Sequence, residues 1–406
     1  MSRKPSIGAM SAACHAGIAA FEQSQDNPFF VYDLDSLSEH IASLANDDIK
    51  LWFAVKANPL SKVIQTLDQQ GMNFDVASLG ELEQVLAQGV SAKRVLNTGP
   101  AKSIKQIKRF IELGVNTFVV ESINQLELIN QLSGEFNVTP EILLRVQLRF
   151  EQGDNNPLGG NSLTPFGLGS QEWSQIKLAD YANVNVIGLH IFQWGNMLDG
   201  EKLISLWQAM IAPLTELADS LGFELQVLDL GGGLGIPYAK GDNSLSWHEL
   251  TSALAQIKRQ ANLNELWMEL GRYAVGEYGC YVSKVVDVKQ NYQQSLLVLQ
   301  GGINHLLRPA ITEQPFPVSL LRASNAPAQS FHVHGPLCTS LDKLGELALP
   351  SDVCVGDSLV FSQCGAYGFT EAMPFFLCHE LPAEVVYQHG EFEVVRPSVP
   401  ASSYLF

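Results

Sequence analysis

The sequence predicts a parallel (β/α)8 barrel of the TIM type, followed by an all-β domain. From about residue 29 to residue 270, short apolar runs typical of buried strands alternate with segments that carry apolar residues at helical spacing. Eight such runs separated by helices favour a closed barrel over an open sheet. After residue 275 the runs are rich in β-branched residues and punctuated by Gly and Pro, and helical periodicity is scarce. That pattern is typical of a β domain.

The bounds of the expected elements follow from these periodicities. The predicted barrel strands are 51–56, 73–76, 94–98, 116–120, 142–147, 185–191, 225–229 and 266–269. The predicted helices between them are 61–70, 79–87, 103–113, 122–132, 202–221 and 247–261. The strands expected in the β domain are 282–288, 295–299, 330–334, 358–361 and 384–387. We therefore divide the chain into an N-terminal extension at 1–28, a barrel at 29–274 and a C-terminal β domain at 275–406. A strand at 29–33 precedes the barrel and is expected to join the β domain.

The composition argues against several classes of protein. Hydrophobic residues make up 46% and charged residues 17%, so a large core can form and disorder is not expected. The formal net charge of −17 argues against a nucleic-acid partner, which requires a basic face. No apolar run approaches the roughly 20 residues of a membrane span, and no secretory signal is recognised. Six scattered cysteines without a CxxC pair predict free thiols in the cytoplasm and no metal framework.

The first motif with chemical meaning is Phe53–Pro59, in which Lys56 ends an apolar strand and a turn follows. The ends of barrel strands point to the catalytic face, and a lysine held there among apolar neighbours has its charged form disfavoured. Such an amine is available for imine chemistry. A lysine that reaches solvent from a strand end is the structural alternative, and the motif alone leaves both open.

Two further motifs follow the seventh and eighth barrel strands, where barrels often bind a phosphate. The stretch Leu228–Gly235 is a glycine-rich turn whose backbone N–H groups can approach a phosphate. The stretch Glu269–Arg272 offers a carboxylate for a pyridinium nitrogen, and then Gly271 and Arg272 to complete the phosphate site. A tight turn and a surface ion pair are the structural alternatives.

Three more motifs add a proton donor, a hydroxyl and an aromatic face. Cys338, within 335–342, carries a thiol that can donate a proton. Tyr367 stands in a glycine-flanked turn, from which its hydroxyl can reach a phosphate. His190 and Phe192 are expected to point the same way from the sixth barrel strand, against a flat cofactor ring. Each residue also fits ordinary packing. Together, however, the motifs place a lysine, two phosphate sites, an acid and an aromatic face at the same end of one barrel, and this convergence has no structural explanation.

With these motifs in this order, the chain resembles the fold-type III pyridoxal-phosphate (PLP) decarboxylases, which include diaminopimelate, ornithine and arginine decarboxylases. The likeness covers about residues 29–390 and is greatest to the diaminopimelate branch. It implies a PLP cofactor and an amino-acid-like substrate that loses CO2. It also implies a homodimer with shared active sites, because in this family the cysteine matching Cys338 comes from the partner subunit.

The resemblance implies a role for each matching residue. Lys56 holds the cofactor as a Schiff base, and Cys338 is the proton donor. The residues implied to contact the cofactor are Lys56, Asp75, Arg145, His190, Phe192, Gly232, Gly233, Glu269, Gly271, Arg272 and Tyr367. Among them Glu269 pairs with the pyridine nitrogen, while the glycines, Arg272 and Tyr367 bind the phosphate. The residues implied to lie at the substrate are Arg308, Thr339 and Asp342.

The sequence departs from the family pattern where the far end of the substrate is expected. The stretch after the sixth strand reads Phe192-Gln193-Trp194-Gly195-Asn196 where the family has His-Ile-Gly-Ser-Gln, and the loop at 150–169 also differs. Thr339 stands where the family has an acid that holds a distal amine. These differences favour a carboxylate-rich conjugate such as citryl-diaminopropionate, a siderophore precursor.

Three alternatives stay open. Decarboxylation of meso-diaminopimelate in lysine biosynthesis is supported by Arg308. An alanine-racemase-like enzyme would need a tyrosine base in the position of Cys338. A non-catalytic PLP-binding protein would be expected to be a barrel alone.

Overall fold

The computed structural model describes residues 9–149, 163–239 and 241–405. Within these residues the chain forms two compact units. The barrel unit consists of the described residues of Ser43–Ile236 and Asn243–Gly271. The β unit consists of the described residues of Met1–Ala42, Pro237–Asp242 and Arg272–Phe406.

The regular elements are numbered along the chain. The strands are β1 (Phe29–Asp33), β2 (Ile49–Ala54), β3 (Asn73–Val76), β4 (Val95–Asn97), β5 (Thr117–Val120), β6 (Glu141–Arg145), β7 (Asn185–His190), β8 (Val227–Asp229), β9 (Glu265–Leu270), β10 (Gly279–Asn291), β11 (Gln294–Leu299), β12 (Val318–Leu320), β13 (Ala328–His334), β14 (Lys343–Pro350), β15 (Ser358–Ser362), β16 (Glu380–Leu381), β17 (Ala383–Gln388), β18 (Glu391–Arg396) and β19 (Val399–Pro400). The helices are α1 (Ala12–Glu22), α2 (Leu34–Ser43), α3 (Ser61–Gln69), α4 (Leu79–Ala87), α5 (Ile104–Glu112), α6 (Ile123–Phe136), α7 (Ser170–Trp173), α8 (Gly200–Leu221), α9 (Trp247–Gln260), α10 (Arg272–Val275) and α11 (Arg308–Thr312).

The barrel unit is a closed ring of parallel strands from β2 to β9, in which β9 pairs with β2. The predicted fold class, a TIM-type barrel with a C-terminal β domain, is confirmed. Each predicted barrel strand overlaps an observed one, and β3 has the predicted bounds. A layer of buried side chains fills the interior, contributed by Trp52, Leu96, Val119, Leu143, Ile187, Val227 and Trp267.

Serine side chains begin several of the barrel helices. Ser78, Ser103, Ser122 and Ser246 each accept a hydrogen bond from the backbone N–H three residues further on. This cap satisfies an N–H group that the first helical turn leaves without a partner, and it contributes about 1 kcal/mol. The serines therefore fix where each helix begins after its strand, and with it the short loops at that end of the barrel.

The β unit is built around β1, which pairs parallel with β17 and antiparallel with β10. Its main sheet has the order β14-β13-β11-β10-β1-β17-β18, and β15 joins β10 to β12. Helix α1 buries Cys14 and Ile18 against a cluster that includes Val31 and Val385. Part of the predicted N-terminal extension therefore contributes to the core of this unit. Among the described residues, the helices are too short or too polar to span a membrane.

Candidate functional site

Ionisable side chains gather where the barrel strands end. Lys56 follows β2, and Asp75 lies in β3. Arg145, His190 and Asp229 are the last residues of β6, β7 and β8, and Glu269 is the last but one of β9. Because parallel strands end at the same face of a barrel, these side chains share one end of the barrel unit. The structure therefore brings together five of the predicted residues, namely Lys56, Asp75, Arg145, His190 and Glu269.

Lys56 differs from its prediction in two respects. Strand β2 ends at Ala54, and Lys56 lies in the 3₁₀ turn Val55–Ala57, so it does not end the strand. Its side chain is exposed, and its charge acts on the carboxylates of Asp75, Glu81 and Glu269. The expectation of apolar surroundings was thus wrong, because acids from neighbouring strand ends face the amine.

Asp75 is a buried acid beside this lysine. Burial raises its pKa to about 8, and the nearby charge of Glu269 adds to the rise. Lys56 opposes that rise, as does the hydroxyl of Thr98, which donates to Oδ1 of Asp75 over 2.5 Å. Asp75 is therefore a group that can hold a proton near neutral pH.

Glu269 behaves in the opposite way. Burial by itself would raise the pKa of Glu269, but nearby cationic groups outweigh it and the pKa is lowered. The ring Nε2 of His190 lies 3.1 Å from its Oε1, and Lys56 and Arg145 add to the effect. Glu269 is accordingly an ionised carboxylate held inside the barrel, as a partner for a cationic ring nitrogen must be.

Several buried charged residues beside these groups were not predicted from the sequence. Glu121, which follows β5, pairs with Arg145 over 3.2 Å, and both side chains are at least 90% buried. Burial lowers the pKa of Lys102 to about 8, and its Nζ donates to the carbonyl of Gly99. Asp229 is fully buried. Glu121 and Asp229 could have been found, because charged residues at the ends of barrel strands point to the catalytic face.

The glycine-rich turn after β8 packs tightly against its neighbours. Gly231 and Gly233 have positive φ angles of 63° and 91°, and Asp229 Oδ1 accepts the N–H of Gly231 over 2.8 Å. A Cβ atom on Gly232 would lie 1.9 Å from the carbonyl oxygen of Glu269. No hydrogen bond among the described residues uses the N–H of Gly232 or of Gly233. The glycines thus serve close packing and also leave two donors for a ligand.

His190 and Phe192 are not equivalent positions on one strand. Strand β7 ends at His190, so the predicted alternation of side chains does not extend to Phe192. The His190 ring is 1% exposed and contacts Glu269. Phe192 is half-buried and lies over Gly231, where an added Cβ would come within 2.7 Å of its own Cβ. Phe192 is therefore the better placed of the two to present a ring face to a ligand.

In the β unit, two arginines contact one tyrosine ring. The guanidinium groups of Arg272 and Arg308 each lie 4.8 Å from the ring centroid of Tyr367. Arg272 also donates to the hydroxyl of Tyr238, and Arg308 Nη1 lies 2.6 Å from Glu371 Oε2. We call these five residues the arginine–tyrosine group. Its two guanidinium groups could bind an anionic ligand. The carboxylate of Glu371 would compete with that ligand for Arg308.

The loop at 335–342 of the β unit carries Cys338 and Thr339. Cys338 is exposed, and its neighbour Thr339 is half-buried. Asp342 is 1% exposed, and its two carboxylate oxygens accept the N–H groups of Ile303 and Leu337 over 2.8 and 2.7 Å. The resemblance implied a substrate contact for Asp342. Its carboxylate holds the loop that presents Cys338.

Comparison with known proteins decides the family. Residues 34–276 match the family model described as pyridoxal-dependent decarboxylase, pyridoxal binding domain. The chain belongs to this family. Our decarboxylase is 30% identical to diaminopimelate decarboxylase from Bacteroides thetaiotaomicron, over 87% of this chain and 94% of the relative. It is 26% identical to 2-[(L-alanin-3-ylcarbamoyl)methyl]-2-hydroxybutanedioate decarboxylase from Staphylococcus aureus, over 90% and 95% of the two chains.

A solved structure supports the fold of the decarboxylase over nearly its whole length. Diaminopimelate decarboxylase from Helicobacter pylori, complexed with L-lysine, superposes with a TM-score of 0.85 at 22% identity. The alignment covers 95% of this chain and 98% of that one. Together with the family match and the 30% identical relative, this fold shows that the enzyme is a PLP-dependent amino-acid decarboxylase of fold type III, near the diaminopimelate branch.

The residues of the barrel unit fit pyridoxal phosphate. Lys56 has an accessible amine that could react with the aldehyde, and Glu269 has a carboxylate of lowered pKa that could pair with the ring nitrogen. The N–H groups of Gly232 and Gly233 are unused by the described residues and suit a phosphate. Amine, carboxylate and phosphate donors are the three kinds of group that this cofactor requires.

Replacing Gly232 by alanine is expected to reduce cofactor affinity at least tenfold. The same change should also lower the melting temperature of the protein. The new Cβ would meet the Glu269 carbonyl oxygen at 1.9 Å, so the turn or the strand must shift. Gly80→Ala is the matched control, because the nearest atom to its Cβ is 3.9 Å away and the residue lies in helix α4. PLP titration and thermal melts of both variants test this. Equal cofactor affinity in the two would contradict it.

Proposed function

We propose that this decarboxylase removes CO2 from a carboxylate-rich amino-acid conjugate such as citryl-diaminopropionate, in siderophore biosynthesis. The observation that carries the proposal is Thr339, the residue after Cys338. Thr339 accepts the N–H of Leu341 and has no charge with which to hold a distal ammonium group. Arg308 of the arginine–tyrosine group would suit a carboxylate instead. The staphylococcal relative supports this class, because the name of its substrate describes a citrate amide of diaminopropionate.

The second candidate substrate is meso-diaminopimelate. Glu371 favours it, because a carboxylate 2.6 Å from Arg308 could hold an ammonium group in place of the missing acid at Thr339. The relatives named as diaminopimelate decarboxylases, at up to about 30% identity, point the same way. Thr339 thus favours a substrate without a distal ammonium group, whereas Glu371 favours a substrate that has one.

Each side chain of the barrel unit has a separate proposed role. We propose that Lys56 binds the cofactor covalently and that Glu269 keeps its ring nitrogen protonated. Bound pyridoxal phosphate supplies an electron sink for the charge left when CO2 departs. Gly232, Gly233 and Gly271 would bind the phosphate, and Phe192 would cover the ring. Asp75, Arg145 and His190 would set the charge around them, through the contacts described above.

For the β unit we propose three contacts with anions and one proton donor. Arg272 and Tyr367 would bind a phosphate group, and Arg308 a substrate carboxylate. Cys338 would return a proton to the substrate carbon after CO2 has left. We further propose a cytoplasmic homodimer in which Cys338 serves the active site of the partner. The exposure of Cys338 on a loop supports its role in the partner's site. The six cysteines form no disulfide, which supports the cytoplasmic location.

Substrate choice is tested by CO2 release from citryl-diaminopropionate and from meso-diaminopimelate. We expect turnover of the conjugate and at least tenfold lower kcat/KM for diaminopimelate. Thr339→Glu restores an acid and should move the ratio toward diaminopimelate, whereas Thr339→Gln, of the same length and without charge, should not. Faster turnover of diaminopimelate by the unchanged enzyme would overturn the proposal. Glu371→Gln would then be expected to reduce that turnover.

Replacing Cys338 by alanine is expected to lower the rate of amine formation about 100-fold and leave the cofactor bound. Without the thiol, protonation occurs at the wrong carbon more often, so a carbonyl product should appear beside the amine. Cys354→Ala is the control, since that exposed thiol donates to Asp357 elsewhere in the β unit. Unchanged rates and products in Cys338→Ala would remove the thiol from the reaction.

The shared site is tested by mixing two inactive variants. When Lys56→Ala and Cys338→Ala subunits exchange at random, half of the dimers are mixed, and each mixed dimer has one intact site. Activity should return to about a quarter of that of the unmodified enzyme. No recovery, with subunit exchange confirmed by mass spectrometry, would mean that Cys338 serves its own subunit.

A further inference from the structure

Strands β7, β8 and β9 bring His190, Asp229 and Glu269 together inside the barrel unit. In the parallel register His190 lies opposite Asp229, and Asp229 lies opposite Trp267, two residues before Glu269. One ring nitrogen of His190 and one carboxylate oxygen each of Asp229 and Glu269 lie within 4.8 Å of one another. All three side chains are at least about 90% buried. Asp229 has no part in the assignments made above.

The two oxygens of Asp229 have different surroundings. Oδ1 accepts the N–H of Gly231 over 2.8 Å, which ties the side chain to the first residue of the glycine turn. Oδ2 is buried and has no hydrogen-bond partner in the described residues. Burying an ionised oxygen without a hydrogen-bond partner costs free energy. A protonated oxygen at the same place is a hydroxyl, which can donate a hydrogen bond to a neighbouring acceptor.

Glu269 is the candidate for that acceptor, because one of its carboxylate oxygens lies within 4.8 Å of one of Asp229. Two buried carboxylates this close do not both ionise, and the environment decides which of them keeps the proton. His190, Lys56 and Arg145 favour the ionised form of Glu269. For Asp229, burial and the charge of Glu269 raise the pKa well above its usual range, against the N–H of Gly231 and the charge of Arg145.

We propose that Asp229 is a positioning residue that stays protonated and donates its hydroxyl hydrogen to Glu269. The two acids, which we call the acid pair, then carry a single negative charge, located on Glu269. This rests on the proposed role of Glu269 as the partner of the ring nitrogen. Titratable or charged groups face the acid pair from His190 on β7 and Arg145 on β6, and Lys56 and Asp75 also face Glu269. The hydrogen bond adds to their effect and keeps Glu269 ionised at lower pH.

The test is the pH dependence of cofactor affinity, measured without substrate by titrating the apoenzyme with PLP. Affinity should fall on the acid side as Glu269 gains a proton. Asp229→Ala removes a donor to ionised Glu269, so this acid limb should move up by about one pH unit. Asp229→Asn keeps the acceptor for Gly231 and replaces the hydroxyl by an amide donor, so the limb should stay where it is in the unmodified enzyme.

Other results overturn the proposal. If Asp229 were ionised, both variants would remove a like charge beside Glu269, and the limb would move down in both. If Asp229 only shaped the turn, neither variant would move the limb. Glu269→Gln separates this inference from the proposed function, since an acid limb that persists there would end the assignment of Glu269 to the ring.

An infrared measurement on the chain without cofactor does not depend on that assignment. A buried protonated carboxyl group gives a carbonyl band distinct from that of a carboxylate. We expect this band in the unmodified protein and a loss of intensity in Asp229→Asn. An unchanged band would show that Asp229 is not the protonated acid. Because Asn occupies almost the same volume, this variant remains informative if Asp229→Ala fails to fold.

Discussion

Replacing Lys56 by alanine is expected to abolish covalent attachment of the cofactor and to reduce decarboxylation at least about a thousandfold. Lys56 lies in the turn after β2, and its charge acts on Asp75, Glu81 and Glu269. Its side chain is exposed, so the amine is accessible to a cofactor. The absorbance band of lysine-bound cofactor should disappear. Borohydride reduction of the unmodified enzyme, followed by peptide mass spectrometry, should place the cofactor on Lys56.

Lys102 provides the control for this experiment. It is a second lysine of the barrel unit, and burial lowers its pKa to about 8, which also makes it an available amine. It is 8% exposed, however, and its Nζ donates to the carbonyl of Gly99. Lys102→Met should therefore retain covalently bound cofactor. A cofactor adduct on Lys102, or a persistent absorbance band in Lys56→Ala, would show that Lys56 is not the lysine that binds the cofactor.

Glu269→Gln is expected to lower kcat by about 100-fold to 1,000-fold while covalent attachment at Lys56 persists. Glutamine has the same length but no charge, so it cannot keep the ring nitrogen protonated, and the electron sink weakens. The absorption spectrum of the bound cofactor should change as well. Cofactor affinity and spectrum in the absence of substrate, together with kcat, separate a loss of binding from a loss of chemistry.

Glu265 is the matched control on the same strand. It begins β9, is about half exposed and pairs with Lys50 over 3.3 Å. Exposed pairs of this kind contribute less than about 1 kcal/mol. Glu265→Gln should therefore leave kcat and the cofactor spectrum unchanged. Equal behaviour of the two glutamine variants would mean that Glu269 does not act on the ring.

The regular part of the fold was predictable because local patterns specify it. Apolar runs at strand spacing located the eight barrel strands, and β3 and α4 have the predicted bounds. Elements with weak patterns were missed. Strand β14 alternates between exposed and buried residues over only eight positions, and α1 lies in a stretch that was interpreted as an extension. The loop at 150–169, expected near the substrate, lies mostly outside the described residues.

The sequence by itself determined the family chemistry of this protein, since the residues that carry it stand next to recognisable strand ends and turns. Lys56, the glycines after β8 and Glu269 were found in this way. The tertiary structure decided which charged groups lie beside one another. Glu121 with Arg145 and Asp229 with Glu269 are 24 and 40 residues apart in the chain. They meet because β5 pairs with β6 and β8 pairs with β9. In a buried site a charge depends on its neighbours in space rather than in sequence.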